Sequence, residues 1–359
     1  MKKISKVRII TNVLLVLVFV LGLGSFSSLA KASVSQQAPD GFISSDEDGV
    51  MVLATRAWTA AEMLAAKPYP LGEGTGDATS TVDMLAVPDG PAGAVRGAAP
   101  GKTPGAPTSL SEAIGSDVGK LGYSYPAPFT RQYVYTFASQ TTYPFSTIGK
   151  LFFTQLGVAY VCSASVVAKN GILTTGHCAH AGNGLYSGWS TNVVFVPAYK
   201  NGYAPYGQWT TNLTMVPSRW YYYAEPRMDY GAMRVRQQSA VSIGTRVGYL
   251  GYAWNFSRVQ AWWAIGYPQA APFAGKYMTA CQSSYAYDEA YGSTSYPALM
   301  TIGCDQTGGT SGGPWVKNFG SSNYVNGINA YRHTSQPLEL SGPYFNSTTG
   351  SFLDTVRAW

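Results

Sequence analysis

The chain has 359 residues, 46% hydrophobic and 12% charged, with 26 Tyr and a formal net charge of +6. That hydrophobic share is enough for a substantial core, and a charged share roughly half the usual suits an extracellular β protein better than a cytosolic helical one. The basic balance does not make a nucleic-acid binder, because Lys and Arg are scattered singly with no run of five.

The charge divides along the chain. Residues 1–32 carry five basic and no acidic residues, 33–110 four basic and nine acidic, and 111–359 fifteen basic and nine acidic. The first of these reads as an export signal. A basic leader, Met1 to Arg8, precedes an apolar run from Ile9 to Leu23, and Ala30-Lys31-Ala32 offers a small-x-small cleavage pattern ahead of Ser33. A retained membrane anchor is the competing reading. No other segment is long and apolar enough to span a bilayer.

Thr59-Ala60-Ala61-Glu62 is a capping box that predicts a short helix through Met63, Leu64 and Ala66, ended by Pro68 and Pro70. Residues 86–108 are rich in Pro, Gly and Ala and read as a linker. An acidic segment and a linker ahead of a basic body suggest a pro-segment that folds against the body and is later removed. A permanent surface module is the alternative.

From about residue 120 short apolar runs alternate with Gly, Asn, Ser and Pro turns. Lys150–Phe153, Ala159–Val161, Ser165–Val167, Val193–Val196 and Arg246–Leu250 predict many short antiparallel strands. The tail, Phe352 to Trp359, has a helical pattern. The fold class expected is all-β, a sandwich or barrel. The four cysteines, at 162, 178, 281 and 304, favour two disulfides in an exported chain, with three pairings open. The absence of Cys-x-x-Cys and the presence of only three histidines argue against a zinc site.

Ser311 sits in Gly308-Gly309-Thr310-Ser311-Gly312-Gly313-Pro314. A serine hydroxyl needs a base, an orienter for that base and donors for the developing oxyanion. The glycines permit a tight backbone, and the amides of Gly309 and Ser311 are the natural donors. Of the three histidines, His180 lies among small polar residues and His333 in a polar run. Only His177 ends an apolar strand beside a cysteine, in Ile172–Cys178. Among the acids between His177 and Ser311, Asp229 leads directly into a strand pattern, Tyr230–Val235, and is the expected orienter. Gly309-Thr310-Ser311-Gly312-Gly313 also fits the nucleophile elbow of α/β-hydrolases. That fold needs the order Ser, Asp, His, and no histidine follows the acids Glu339 and Asp354.

Thr175-Gly176-His177-Cys178, Asp229 before its strand, and Gly309–Pro314 resemble the trypsin/chymotrypsin-like serine peptidases. The nearest likeness is to their secreted bacterial glutamyl-endopeptidase-like branch, over about residues 125–359. The resemblance implies a chymotrypsin-like double six-stranded β-barrel with the active site between the barrels. It implies a secreted serine endopeptidase made as a proenzyme, with a signal peptide at 1–32, pro-segment and linker at 33–125, and a peptidase domain at 126–359. His177, Asp229 and Ser311 would form the triad, and Gly309 and Ser311 the oxyanion hole. It implies a Cys162–Cys178 bridge and, with it, Cys281–Cys304. Protein or peptide substrates and the chain's own pro-segment are the expected partners, with no cofactor, metal, nucleic acid or lasting membrane association, and a monomer is expected. A silent binding protein on this scaffold, or an esterase using the same triad, are the alternatives.

Two departures qualify the likeness. Trypsin has an aspartate before its nucleophile to capture a new N-terminal ammonium; here the residue is Thr310. The branch also places a glutamate-binding histidine where this chain has Asn329, although Arg332 or His333 could supply a cation. Conversely, Asp305, beside Gln306, stands where trypsin has its selector for Arg and Lys. The two preferences stay open. The mature N-terminus is expected between residues 105 and 140, with Lys120 and Arg131 as candidate cuts.

Overall fold

A computed structural model describes residues 41–45, 56–73, 88–101, 125–289 and 297–359. The expected signal peptide and Lys120 lie outside the described residues. Among those residues no helix is long and apolar enough to cross a membrane.

The body is all-β in two halves. In the first, β6 (Ile148–Gln155), β7 (Val158–Val166), β8 (Gly171–Thr174), β11 (Gly231–Val235), β10 (Trp209–Pro217) and β9 (Thr191–Pro197) pair in that order, and β9 returns to β6 to close a six-stranded barrel. The strand patterns explain the closure. Leu151, Phe153, Val166, Ile172, Phe195 and Met233 are fully buried in one cluster inside it. Ala159–Val161 and Ser165, expected in separate short strands, belong to the single strand β7.

In the second half, β12 (Gly251–Trp254), β13 (Ala261–Gly266), β14 (Thr279–Glu289), β15 (Leu299–Gly303), β16 (Pro314–Lys317), β17 (Tyr324–Ile328), β18 (Tyr331–Arg332) and β19 (Glu339–Gly342) form one long sheet. Its inner cluster is built on Trp262 and Trp315, whose ring centroids are 6.0 Å apart, with Met300, Ile302 and Leu340. The tail forms a helix, Ser347–Arg357, capped by Asn346, and its Phe352, Leu353 and Val356 pack on the first cluster.

Arg246–Leu250 is not a strand. Ser242 caps a helix at Ile243–Val247 by accepting from the Thr245 amide, and Gly248, at φ 81°, ends it. Here a local side-chain cap overrides β-branched content.

Both expected disulfides are present, Cys162–Cys178 and Cys281–Cys304. The first spans 16 residues. Its loss through Cys162→Ser with Cys178→Ser should lower unfolding free energy by about 3 kcal/mol, read from denaturant midpoints. An unchanged midpoint would contradict this.

The segments ahead of residue 125 dock on the body. β1 (Phe42–Ser44) pairs with β10, and α1 (Ala60–Ala65) carries the predicted capping box. β2 (Lys67–Pro68) pairs with β7, and β3 (Gly72–Glu73) with β18. Part of the expected linker is also a strand: β4 (Gly93–Val95) pairs antiparallel with β12, because backbone pairing there requires no large side chains. β5 (Phe129–Tyr133), which contains the candidate cut Arg131, pairs with five residues of β14.

Candidate active site

The site lies where β8 ends and the loop before β16 turns back. Thr174 closes β8, and a single helical turn, Gly176–Ala179, carries His177. The disulfide ties that turn to β7. Asp229 follows the 3-10 turn Pro226–Met228 and precedes β11. Asp229 Oδ2 is 2.8 Å from His177 Nδ1, and Asp229 Oδ1 accepts from the His177 amide at 2.8 Å. Both residues are buried. A carboxylate that grips both ring and backbone fixes the imidazole's orientation and the proton on Nδ1.

Ser311 lies in the loop between Cys304 and β16. Gly309 takes φ 96° and Gly312 φ 82°, conformations that side-chain-bearing residues rarely hold. At Gly312 a Cβ would stand 2.1 Å from Thr174 Oγ1 and 2.4 Å from Ser163 O, so the loop can meet β7 and β8 only with glycine there. Ser163 fastens the contact. Its amide donates to Ser311 O at 2.7 Å, its hydroxyl donates to Gly309 O at 3.0 Å, and its carbonyl accepts from Thr174 Oγ1 at 2.9 Å. The Ser311 loop and the histidine segment thus share one anchor.

The structure joins His177 to Asp229, whereas the Ser311 hydroxyl is buried and makes no hydrogen bond. His177 Nε2 lies 3.3 Å from Thr175 Oγ1 instead. Gly309 N, expected as an oxyanion donor, already donates, at 3.1 Å, to the carbonyl of Tyr69.

The candidate specificity residues separate into two kinds. Gln306 and Asn329 are fully buried and hydrogen-bonded around Thr310. Asn329 Nδ2 donates to Thr310 Oγ1 at 2.9 Å, its Oδ1 accepts from Trp315 Nε1 at 2.6 Å, and Thr310 Oγ1 donates to Gln306 Oε1. Thr310 is therefore held by neutral hydrogen bonds, where trypsin uses a charged pair. Asp305 is partly exposed and lies 3.3 Å from Arg131 Nε. His333 Nε2 is 2.9 Å from Glu289 Oε2, which ties up that candidate cation. Arg332 lies in β18, beside β3. His180 is buried against Tyr221, with ring centroids 4.3 Å apart.

Several contributors carried no signal in the sequence. Gln155 Nε2 donates to His177 O at 3.0 Å. Gln269 and Ala270 amides both donate to Gly308 O, at 2.8 and 3.0 Å, bracing the turn before Gly309. Lys150 is buried under them, donating to Gln269 Oε1 at 2.6 Å and to Gly275 O at 2.9 Å. Burial lowers its ammonium to about 7. Tyr69, between Pro68 and Pro70, lies over His177, and burial raises its phenol to about 12.

A profile of the trypsin family matches residues 136–349, more than half of the chain. The chain belongs to the trypsin family. Protease Anisep from Arthrobacter nicotinovorans is similar to it at 34% identity and TM-score 0.54, over 60% of this chain and 96% of that one. The thermostable serine protease AL20 from an extremophilic microorganism is similar at 31% identity and TM-score 0.54, over 59% and 97%. A curated relative, an extracellular metalloprotease of Bacillus subtilis, is 25% identical over 117 residues; the match spans 32% of this chain and about a third (35%) of that relative's length. The metal in that relative's name does not fit the trypsin-family site. Among the described residues, the clusters with metal-ligand spacing are Cys162, His177, Cys178 and Cys281, Cys304, Asp305. Their sulfurs are locked in disulfides, which leaves one ligand in each.

Proposed function

We propose that this chain is an exported serine endopeptidase, made as a proenzyme, that cleaves proteins or peptides through an acyl-enzyme. The observation that carries the reading is the doubly held His177–Asp229 pair, with Nδ1 at 2.8 Å from Oδ2, anchored through β7 and β8 to the Ser311 loop.

Ser311 Oγ attacks the substrate carbonyl while His177 Nε2 takes its proton. The amides of Gly309 and Ser311 receive the oxyanion, and His177 then returns the proton to the leaving amine. Asp229 keeps Nδ1 protonated and balances the imidazolium. A water molecule repeats the sequence to release the acyl group. Export is supported by the leader at 1–32 and by two disulfides, which persist in oxidising compartments. Of the two candidate cuts, Lys120 is favoured, since a cut at Arg131 would sever a strand paired with β14.

The test is a fluorophosphonate probe on processed, secreted protein. Labelling is expected on Ser311, absent in Ser311→Ala, and matched by hydrolysis of a peptide library. Unlabelled processed protein would sink the reading, and ester turnover without peptide cleavage would favour an esterase.

A further inference from the structure

The candidate cleft is crossed by a segment that precedes the body. From Ala66 to Glu73 the chain touches the components proposed for catalysis one after another. Gln269 Nε2 donates to Ala66 O at 2.7 Å. Lys67 and Pro68 pair with Tyr160 and Val161, and the Tyr69 amide donates to Val161 O at 3.0 Å. The Tyr69 ring stacks on His177 at 5.0 Å and 28°, and its hydroxyl donates to Gln155 Oε1 at 2.8 Å. The Tyr69 carbonyl takes the Gly309 amide. Gly72 and Glu73 then pair with Tyr331 and Arg332.

Direction is the informative feature. A substrate carbonyl attacked by Ser311 must point its oxygen at Gly309 N and its nitrogen at His177, which protonates that nitrogen as it leaves. The part of a substrate after the scissile bond therefore departs on the imidazole side. That side is β7, whose Cys162 is bonded to Cys178 next to His177. Here the order is opposite. The residues before the Tyr69 carbonyl lie along β7, with the Tyr69 ring over the imidazole, and the residues after it cross to β18. Both short ladders, to β7 and to β18, are parallel.

We propose that residues 66–73 are an inhibitor built into the chain and bound backwards, filling the oxyanion hole with a carbonyl that the triad cannot cleave. This rests on the serine-peptidase reading and adds the regulation of that site. The bond after the Tyr69 carbonyl joins Pro70, so its nitrogen is a tertiary amide with a ring attached. His177, covered by Tyr69, faces Thr175, and the Ser311 hydroxyl is left without a hydrogen bond. The plug is anchored at a distance. Trp58 is buried, its Nε1 donates to Asn192 O at 3.0 Å, and its backbone exchanges two hydrogen bonds of 2.8 Å with the Gln208 side chain. Buried aromatics of this kind carry most of an interface's energy.

Uncut full-length chain is the test material. Ser311 should react with a fluorophosphonate at least tenfold more slowly in the wild type than in Tyr69→Ala, with Trp58→Ala between them. A synthetic peptide of residues 56–73, added to processed wild-type enzyme, should slow labelling and be recovered intact after long incubation. Equal labelling of uncut wild type and Tyr69→Ala overturns the proposal. So does cleavage of the peptide between Tyr69 and Pro70, which would show the forward direction, and so does a peptide that leaves labelling unchanged. Processed enzyme that never labels sinks the peptidase reading instead. In that event amide exchange in the Ser311→Ala chain decides the plug. Protection of the residue 69 and 309 amides that is lost on adding Tyr69→Ala supports it, and exchange that does not change overturns it.

Discussion

Replacing Asp229 by asparagine should lower kcat on a peptide substrate by about 10⁴-fold and leave KM within a few-fold. The reasoning starts from the two bonds Asp229 makes. Its Oδ1 accepts from the His177 amide, and an asparagine oxygen can keep that bond. Its Oδ2 faces Nδ1 at 2.8 Å, and there asparagine offers an NH₂ group. A donor cannot accept the Nδ1 proton, so the imidazole moves its proton to Nε2 and can no longer take one from Ser311. Fold and stability should change little, because the backbone bond survives. Steady-state kinetics with a thermal melt separates the two effects. A loss below tenfold would mean that another carboxylate orients the ring. Glu225 is the nearest rival in sequence, and it is already committed to Arg227 at 2.7 and 3.1 Å.

The His177–Asp229 pair was legible because few residues of these types exist. Three histidines and one acid leading into a strand left little choice, and chain order removed the competing fold. The barrel was legible as many short apolar runs, since its strands are buried almost continuously, seven of eight residues in β6 and all four in β8. What the sequence hid depends on partners far along the chain. Tyr69 reads as an ordinary residue between two helix-ending prolines, yet it bonds to residues 86 and 240 positions away, Gln155 and Gly309. Gln155, Ser163 and Gln269 act through backbone carbonyls and amides, which leave no pattern in side-chain type. Gly93–Val95 read as linker because strand pairing by backbone alone needs no β-branched residue. Arg246–Leu250 failed for the opposite reason: a cap at Ser242 outweighed the composition of the run.

Replacing Asn329 by alanine should cost about 2–4 kcal/mol of stability by orphaning buried Trp315 Nε1 and removing one of the two hydrogen bonds on the Thr310 hydroxyl, which keeps its bond to Gln306. It should also lower kcat by about 10²–10³-fold, the usual effect of losing an oxyanion donor. The link runs through Thr310, whose neighbours Gly309 and Ser311 are the proposed oxyanion donors. Thr310 is held on one side by Gln306 Oε1 and on the other by Asn329 Nδ2 at 2.9 Å, and Asn329 is itself fixed by Trp315. Freeing Asn329's hold lets the Gly309 amide wander from the carbonyl it must meet. Relative turnover of acidic, basic and uncharged peptides should stay the same, because Asn329 is fully buried and faces the nucleophile loop. An altered preference with kcat intact would return Asn329 to the role of specificity residue suggested by its position in the sequence. Thr310→Val removes the hydroxyl but keeps the Thr310 carbonyl that Asn329 Nδ2 also reaches, at 3.3 Å. It should therefore cost less than Asn329→Ala in both stability and kcat. If both variants keep wild-type kcat, neutral hydrogen bonds are not what replaces trypsin's charged pair in this loop.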